Sequence, residues 1–132
     1  MFEAFSEDEM VFVGRKIAHS LISPSIVCLN GDLGSGKTTL AKGIISELSG
    51  VSSQEITSPT FQYVHLYEQV SHFDLWRLRD VSEFLGLGLD EHLFDRISLI
   101  EWPDRITPLI APLDVLSINI QSVGDGRRIV VE

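Results

Sequence analysis

The chain has 132 residues, enough to bury one hydrophobic core without disulfides or metal staples, and its 44% hydrophobic and 22% charged content is that of an ordinary globular protein. Ten basic side chains against 19 acidic ones give a net charge of −9, the reverse of a protein that grips a nucleic-acid backbone by itself. No apolar run approaches the ~20 residues of a membrane span.

The first segment, Ser6-Glu7-Asp8-Glu9, reads as a capping box in which Ser6 caps a helix and Glu9 reaches back to it. The acidic start lacks the basic-then-apolar plan of a signal peptide, so a cytoplasmic address is expected. The helix is predicted over 7–22, with Val11, Ile17, Ala18 and Leu21 toward the core and Ser23-Pro24 as its stop. Residues 26–29 form a short apolar run typical of a parallel strand covered on both faces. Cys28, the one cysteine, lies inside it and is expected to be a buried structural thiol.

A glycine-rich turn follows, then a helix over 37–48 closed by Ser49-Gly50. Residues 51–60 read as a loop ending in Ser58-Pro59-Thr60. Strands are predicted over 61–67 and 70–74, joined by a short turn, and a helix over 80–94 that Gly86 and Gly88 weaken. A second apolar strand over 97–100 ends at Glu101-Trp102-Pro103. Segments 115–121 and 128–131 frame Gly124-Asp125-Gly126 as a closing hairpin. Neither a repeat nor a linker interrupts the chain, so one domain over 1–132 is expected. Helices alternating with buried strands give α/β: three layers, with a mostly parallel central sheet and antiparallel hairpin strands at its edges.

The turn carries the chemistry. Gly31-Asp32-Leu33-Gly34-Ser35-Gly36-Lys37-Thr38 matches G-x-x-x-x-G-K-[ST] at every fixed position, between an apolar strand and a helix. Glycines let the backbone wrap a phosphate with N–H groups inward, and the helix start adds its positive dipole end. Lys37 is expected on the β- and γ-phosphates and the Thr38 hydroxyl on Mg²⁺, with Asp32, Leu33, Gly34, Ser35, Gly36 and Thr39 completing the nucleotide cradle. Such a site also needs an acidic group at a strand end. Asp74 and Glu101 both qualify, and Glu101 has the stronger look because the apolar run 97–100 delivers it to the sheet edge shared with the cradle. There is no Asn-Lys-x-Asp run for guanine and no ATP-cassette signature, which leaves ATP by elimination. A small-molecule or nucleoside kinase on a minimal core stays open as an alternative, as does a nucleotide-gated binding module.

Four blocks then occur in order: Gly31 to Thr39, Thr57-Ser58-Pro59-Thr60-Phe61, His72-Phe73-Asp74-Leu75-Trp76-Arg77-Leu78, and Glu101-Trp102-Pro103. This series resembles the TsaE (YjeE) family, the bacterial ATPase of tRNA threonylcarbamoyladenosine biosynthesis, over roughly residues 6–130. The resemblance implies a P-loop fold, ATP, Mg²⁺ and weak hydrolysis by the isolated protein. It also implies partnership with TsaB and TsaD, the latter modifying adenosine 37 of tRNAs that read ANN codons, with tRNA met only through that complex and ATP hydrolysis resetting it.

By position, Lys37 and Thr38 match the family's phosphate lysine and magnesium threonine, and Glu101 its second magnesium-associated residue. Trp102 matches the tryptophan beside the nucleotide. Asp74 matches an aspartate required for hydrolysis, and Thr60 lies in a switch-like loop where it would sense the γ-phosphate. Trp76 stands where the family usually has tyrosine, and Ser35 where alanine is common. His72 shares a strand face with Asp74 and is expected to hold it. Arg127, Arg128, Ser6 and Glu7 are weaker candidates to approach the nucleotide, and Arg77 and Arg79 for a charge-stabilising role.

Overall fold

The computed structural model describes residues 1–132 and contains one seven-stranded sheet. In chain order the elements are β1 (Phe2–Ala4), α1 (Glu7–Ala18), β2 (Ser25–Asn30), α2 (Lys37–Ser49), β3 (Val64–Tyr67), β4 (Val70–Asp74), α3 (Val81–Gly86), β5 (Ile97–Glu101), α4 (Thr107–Ile110), β6 (Leu116–Val123) and β7 (Gly126–Val131). The strand order is β1-β7-β6-β2-β5-β4-β3. The four central strands β6, β2, β5 and β4 pair in parallel, while β7, β1 and β3 add antiparallel edges, as the sequence predicts. No helix is long and apolar enough to cross a membrane.

Period-two alternation sorts the buried strands onto two cores. On one face Val27, Leu29, Ile97, Leu99, Ile118 and Ile120 meet α1 and α2 through Met10, Val13, Ile17, Leu40, Ile44 and Ile45. On the other, Ile26, Cys28, Phe73 and Ile100 meet Phe84, Leu93, Ile106 and Ile110 from short helical segments. Cys28 is buried as expected, and burial pushes its thiol up to about 11. The two long helices approach backbone to backbone: a Cβ at Gly14 would strike the Leu40 carbonyl, and one at Gly43 the Val11 carbonyl. That contact offsets the ~1 kcal/mol a helical glycine costs relative to alanine.

Several local expectations need correction. Helix α1 stops at Ala18, four residues short of the predicted end, and residues 19–21 continue as tighter turns onto the carbonyls of Lys16, Ile17 and Ala18. Val11 is only half-buried, whereas its neighbour Met10 and Val13 enter the core. In the capping box Ser6 accepts from the Glu9 amide, but Glu9 reaches one residue further than expected, to the Phe5 amide. Strand β3 begins at Val64, because the Gln62 and Tyr63 amides fold back onto the Pro59 carbonyl. The predicted helix 80–94 breaks into α3 and a 3-10 turn over Leu89–His92, with Gly88 at φ 72° between them. Strand β1 has no counterpart in the sequence reading.

Candidate functional site

Because β2, β4 and β5 run parallel, their carboxyl ends reach one sheet edge, with Leu29 opposite Glu101 and Asp74 opposite Glu101 in register. The glycine-rich turn leaves β2 at that edge and enters α2 at Lys37. Gly36 caps α2 at φ 106°, and any Cβ there would also press on the Met10 methyl of α1. Only glycine fits, and it brings no side chain to cap the helix. The first-turn N–H groups therefore stay available to an anion.

A cleft of about 630 Å³ lies over this edge. Of the ten residues predicted to bind nucleotide, all line it except Asp32, whose carbonyl instead accepts the Ser35 amide and closes the turn. The cleft is also lined by Phe5, Ser6, Glu7, Asp125 and Arg127. Arg127 donates through Nε to the Ser35 carbonyl at 3.0 Å, so the last hairpin buttresses the turn, whereas the buried Nε of Arg128 has no partner and Arg128 does not line the cleft.

Lys37 is 6% exposed. Its ammonium donates to the Gly31 carbonyl and lies 3.4 Å from the centre of the Trp102 ring. Burial lowers its pKa, while the negative charges of Glu101, Asp74, Asp32 and Asp104 act against that shift. Trp102 holds a left-handed backbone at φ 60°, uncommon for a bulky residue and typical of a constrained site. Its ring packs against Trp76 at 4.5 Å between centroids, tilted by 46°, and the Arg105 guanidinium lies 5.5 Å from the centre of the Trp76 ring. These contacts therefore run from buried Lys37 to the protein surface.

The two carboxylates are held differently. Glu101, 2% exposed, accepts the Thr38 hydroxyl at 2.8 Å on Oε1 and 3.0 Å on Oε2, and His72 Nε2 lies 2.7 Å from Oε2. Asp74 Oδ2 accepts the hydroxyls of Ser58 at 2.9 Å and Thr60 at 3.1 Å, and Oδ1 accepts the Trp76 amide at 3.1 Å. His72 thus holds Glu101 and makes no bond to Asp74, which corrects the sequence expectation. A shared strand face does not say which neighbouring strand's residue comes within reach. The sequence marks Ser58 only as part of a loop; its hydroxyl, beside that of Thr60, meets Asp74 through the turn at Pro59.

Thr38 and Glu101 offer two hard oxygen donors in contact, a set suited to a magnesium ion that completes its shell with water and phosphate. No group of three or more His, Cys, Asp or Glu side chains gathers to hold a metal without such a ligand. Arg77 caps the exposed ring of Phe61 at 4.5 Å and Arg79 pairs with Glu83, so neither lines the cleft.

A family model described as "Threonylcarbamoyl adenosine biosynthesis protein TsaE" matches residues 4–130. The tRNA threonylcarbamoyladenosine biosynthesis protein TsaE of Rickettsia conorii is 35% identical over 128 residues, covering 94% of this chain and 72% of its own. The protein of that name from Haemophilus influenzae is 37% identical over 134 residues, covering 93% and 82%. The one from Aquifex aeolicus is 33% identical over 131 residues, covering 93% and 92%. The crystal structure of Bacillus subtilis YdiB superposes with a TM-score of 0.69 at 26% identity, over 97% of this chain and 80% of that one.

Proposed function

The chain belongs to the TsaE family of threonylcarbamoyladenosine biosynthesis proteins, and on that premise we propose that it hydrolyses ATP to drive the cycle of the tRNA-modifying machinery. The whole chain acts as one nucleotide-binding domain and works with TsaB and TsaD, meeting tRNA only through them. The observation that carries this reading is the meeting of Lys37, Thr38, Glu101 and Asp74 in one cleft at the carboxyl ends of parallel strands. The acidic balance agrees, since a subunit of net charge −9 is poorly suited to hold tRNA alone.

In this reading the backbone from Asp32 to Thr39 wraps the β- and γ-phosphates, and Lys37 leaves the Gly31 carbonyl and the Trp102 ring to pair with them. Thr38 and Glu101 would hold a magnesium ion, which would supply positive charge to offset that of the phosphate oxygens. Trp102 flanks the nucleotide. Thr60 turns from Asp74 to the γ-phosphate, which leaves Oδ2 of Asp74, still bonded by Ser58, room to accept a hydrogen bond from the attacking water. That water forms the new bond to phosphorus as the bond to the β-phosphate oxygen breaks and ADP leaves; its proton ends on inorganic phosphate.

Nothing in the cleft favours the alternative of phosphoryl transfer to a small molecule. The test is ATP turnover by the purified chain, alone and with TsaB and TsaD. The expected result is slow hydrolysis alone, stimulation by the partners, and loss of both in Lys37→Ala. Hydrolysis untouched by the partners would contradict the proposal.

A further inference from the structure

His72 lies in the middle of β4 and is fully buried, in a strand where all five residues are buried. As packing alone it is a poor choice. Its Nδ1 is buried with no partner, an imidazole must be stripped of water to enter the core, and a leucine would fill such a place without that cost. The ring makes one polar contact, from Nε2 to Oε2 of Glu101 at 2.7 Å. A carboxylate only accepts, so the ring donates and its hydrogen sits on Nε2.

What this bond does follows from the other donor. In the resting cleft the Thr38 hydroxyl shares its single hydrogen between both oxygens of Glu101. Once Thr38 turns its oxygen toward a ligand of the P-loop, His72 is the one side-chain donor left on Glu101. The Lys37 ammonium and Glu101 attract each other across the cleft, a pull toward the lysine that a carboxylate without a second tether would follow. We propose that His72 is a positioning residue for Glu101: its Nε2–H pins Oε2, so that Oε1 keeps facing Thr38 and the metal side of the nucleotide site. The bond comes from within the sheet, from the neighbouring strand, so its geometry is as fixed as the register of β4 on β5. This inference rests on the reading of Glu101 as a metal-side residue given above.

The test compares His72→Gln with His72→Met. The two side chains are alike in length and volume, and glutamine carries its amide N–H the same number of bonds from the backbone as histidine Nε2, whereas methionine has no donor. Each full-length protein is titrated with ATP by calorimetry in EDTA and across a Mg²⁺ series, and its unfolding midpoint is measured alongside. The expected result is ATP affinity in EDTA unchanged within about two-fold for both variants. The Mg²⁺ concentration that half-completes the gain in affinity should rise about ten-fold in His72→Met, as loss of a ligand-orienting partner does, and return to within about three-fold of the parent in His72→Gln. A Mg²⁺ profile in His72→Met equal to the parent's would overturn the proposal, as would His72→Gln impaired as badly as His72→Met. Should His72→Met not fold, His72→Asn, whose amide stops one bond short of Glu101, takes its place with the same expectation. Failure of the parent to bind ATP at all would instead count against the functional reading on which the proposal rests.

Discussion

Asp74 and Glu101 stand side by side at the ends of adjacent parallel strands, both buried, yet their partners come from different kinds of structure. Glu101 is held by His72 from inside the sheet and by Thr38 from the first turn of α2. Asp74 is held mainly by Ser58 and Thr60, two hydroxyls of a connecting loop whose tip, Phe61, is 78% exposed. The core therefore fixes one carboxylate, and a connecting loop holds much of the other. Steady nucleotide binding with hydrolysis on cue, as proposed above, would use both arrangements.

The sharpest way to break this contrast is to measure stability and turnover together. Glu101→Ala and Asp74→Asn should each cut ATP turnover by about 10³-fold, on the order of 4 kcal/mol of barrier. Only Glu101→Ala should weaken folding, by about 2 kcal/mol in urea unfolding at unchanged slope, because it leaves His72 buried without its acceptor. Asp74→Asn keeps Oδ1 as acceptor for the Trp76 amide and puts an amide N–H toward the loop hydroxyls, which can accept it, so stability should change by less than about 1 kcal/mol. Equal losses of stability would end the distinction.

Next in size is Lys37, whose charge both carboxylates share. Lys37→Met should reduce ATP affinity about 50-fold by calorimetry, near 2.3 kcal/mol, as loss of a charge-assisted phosphate contact does.

A pH series probes the strand beneath the site. Unfolded, Cys28 gives up its proton near its ordinary 9.0; folded, it keeps it to about 11. The folded state thus binds the extra proton in that window, and stability should fall between pH 9 and 11, by about 2 kcal/mol from this group. Lys37 acts oppositely: its lowered pKa lets the folded chain lose a proton that the unfolded chain holds to 10.5, so its share of stability rises with pH. Urea unfolding across this window should show a shallower fall in Cys28→Ala and a steeper one in Lys37→Met.

The smallest effect belongs to the loop. Thr60→Val should leave Ser58 holding Asp74, with folding changed by under about 0.5 kcal/mol and ATP turnover lowered about five-fold, near 1 kcal/mol. A larger effect on folding than on turnover would mean that the loop is part of the core scaffold.

These contrasts also mark how far the residues alone could be read. The glycine-rich turn is legible because its geometry is local: Gly36 needs a left-handed backbone, and Lys37 and Thr38 follow at fixed spacing. Glu101 is legible because a run of buried apolar residues delivers it to the sheet edge. The partner of His72 was not, since alternation reveals a face while the neighbour across it depends on the pairing of β4 with β5, set by the whole sheet. Strand β1, three residues long, exists by pairing with β7 and leaves no pattern of its own. The helix expected over 80–94 failed where Gly88 takes a positive φ, and the expected end of α1 overran because short turns continue its line past Ala18.

The most direct measurement is repeated threonylcarbamoylation of tRNA by reconstituted TsaB and TsaD, counted as modified adenosines per TsaD, with this chain or its Asp74→Asn variant added. The account predicts many rounds with the parent chain and no more than about one with Asp74→Asn, which still binds ATP. Full turnover with Asp74→Asn would show that nucleotide binding suffices and would contradict the claim that hydrolysis drives the cycle.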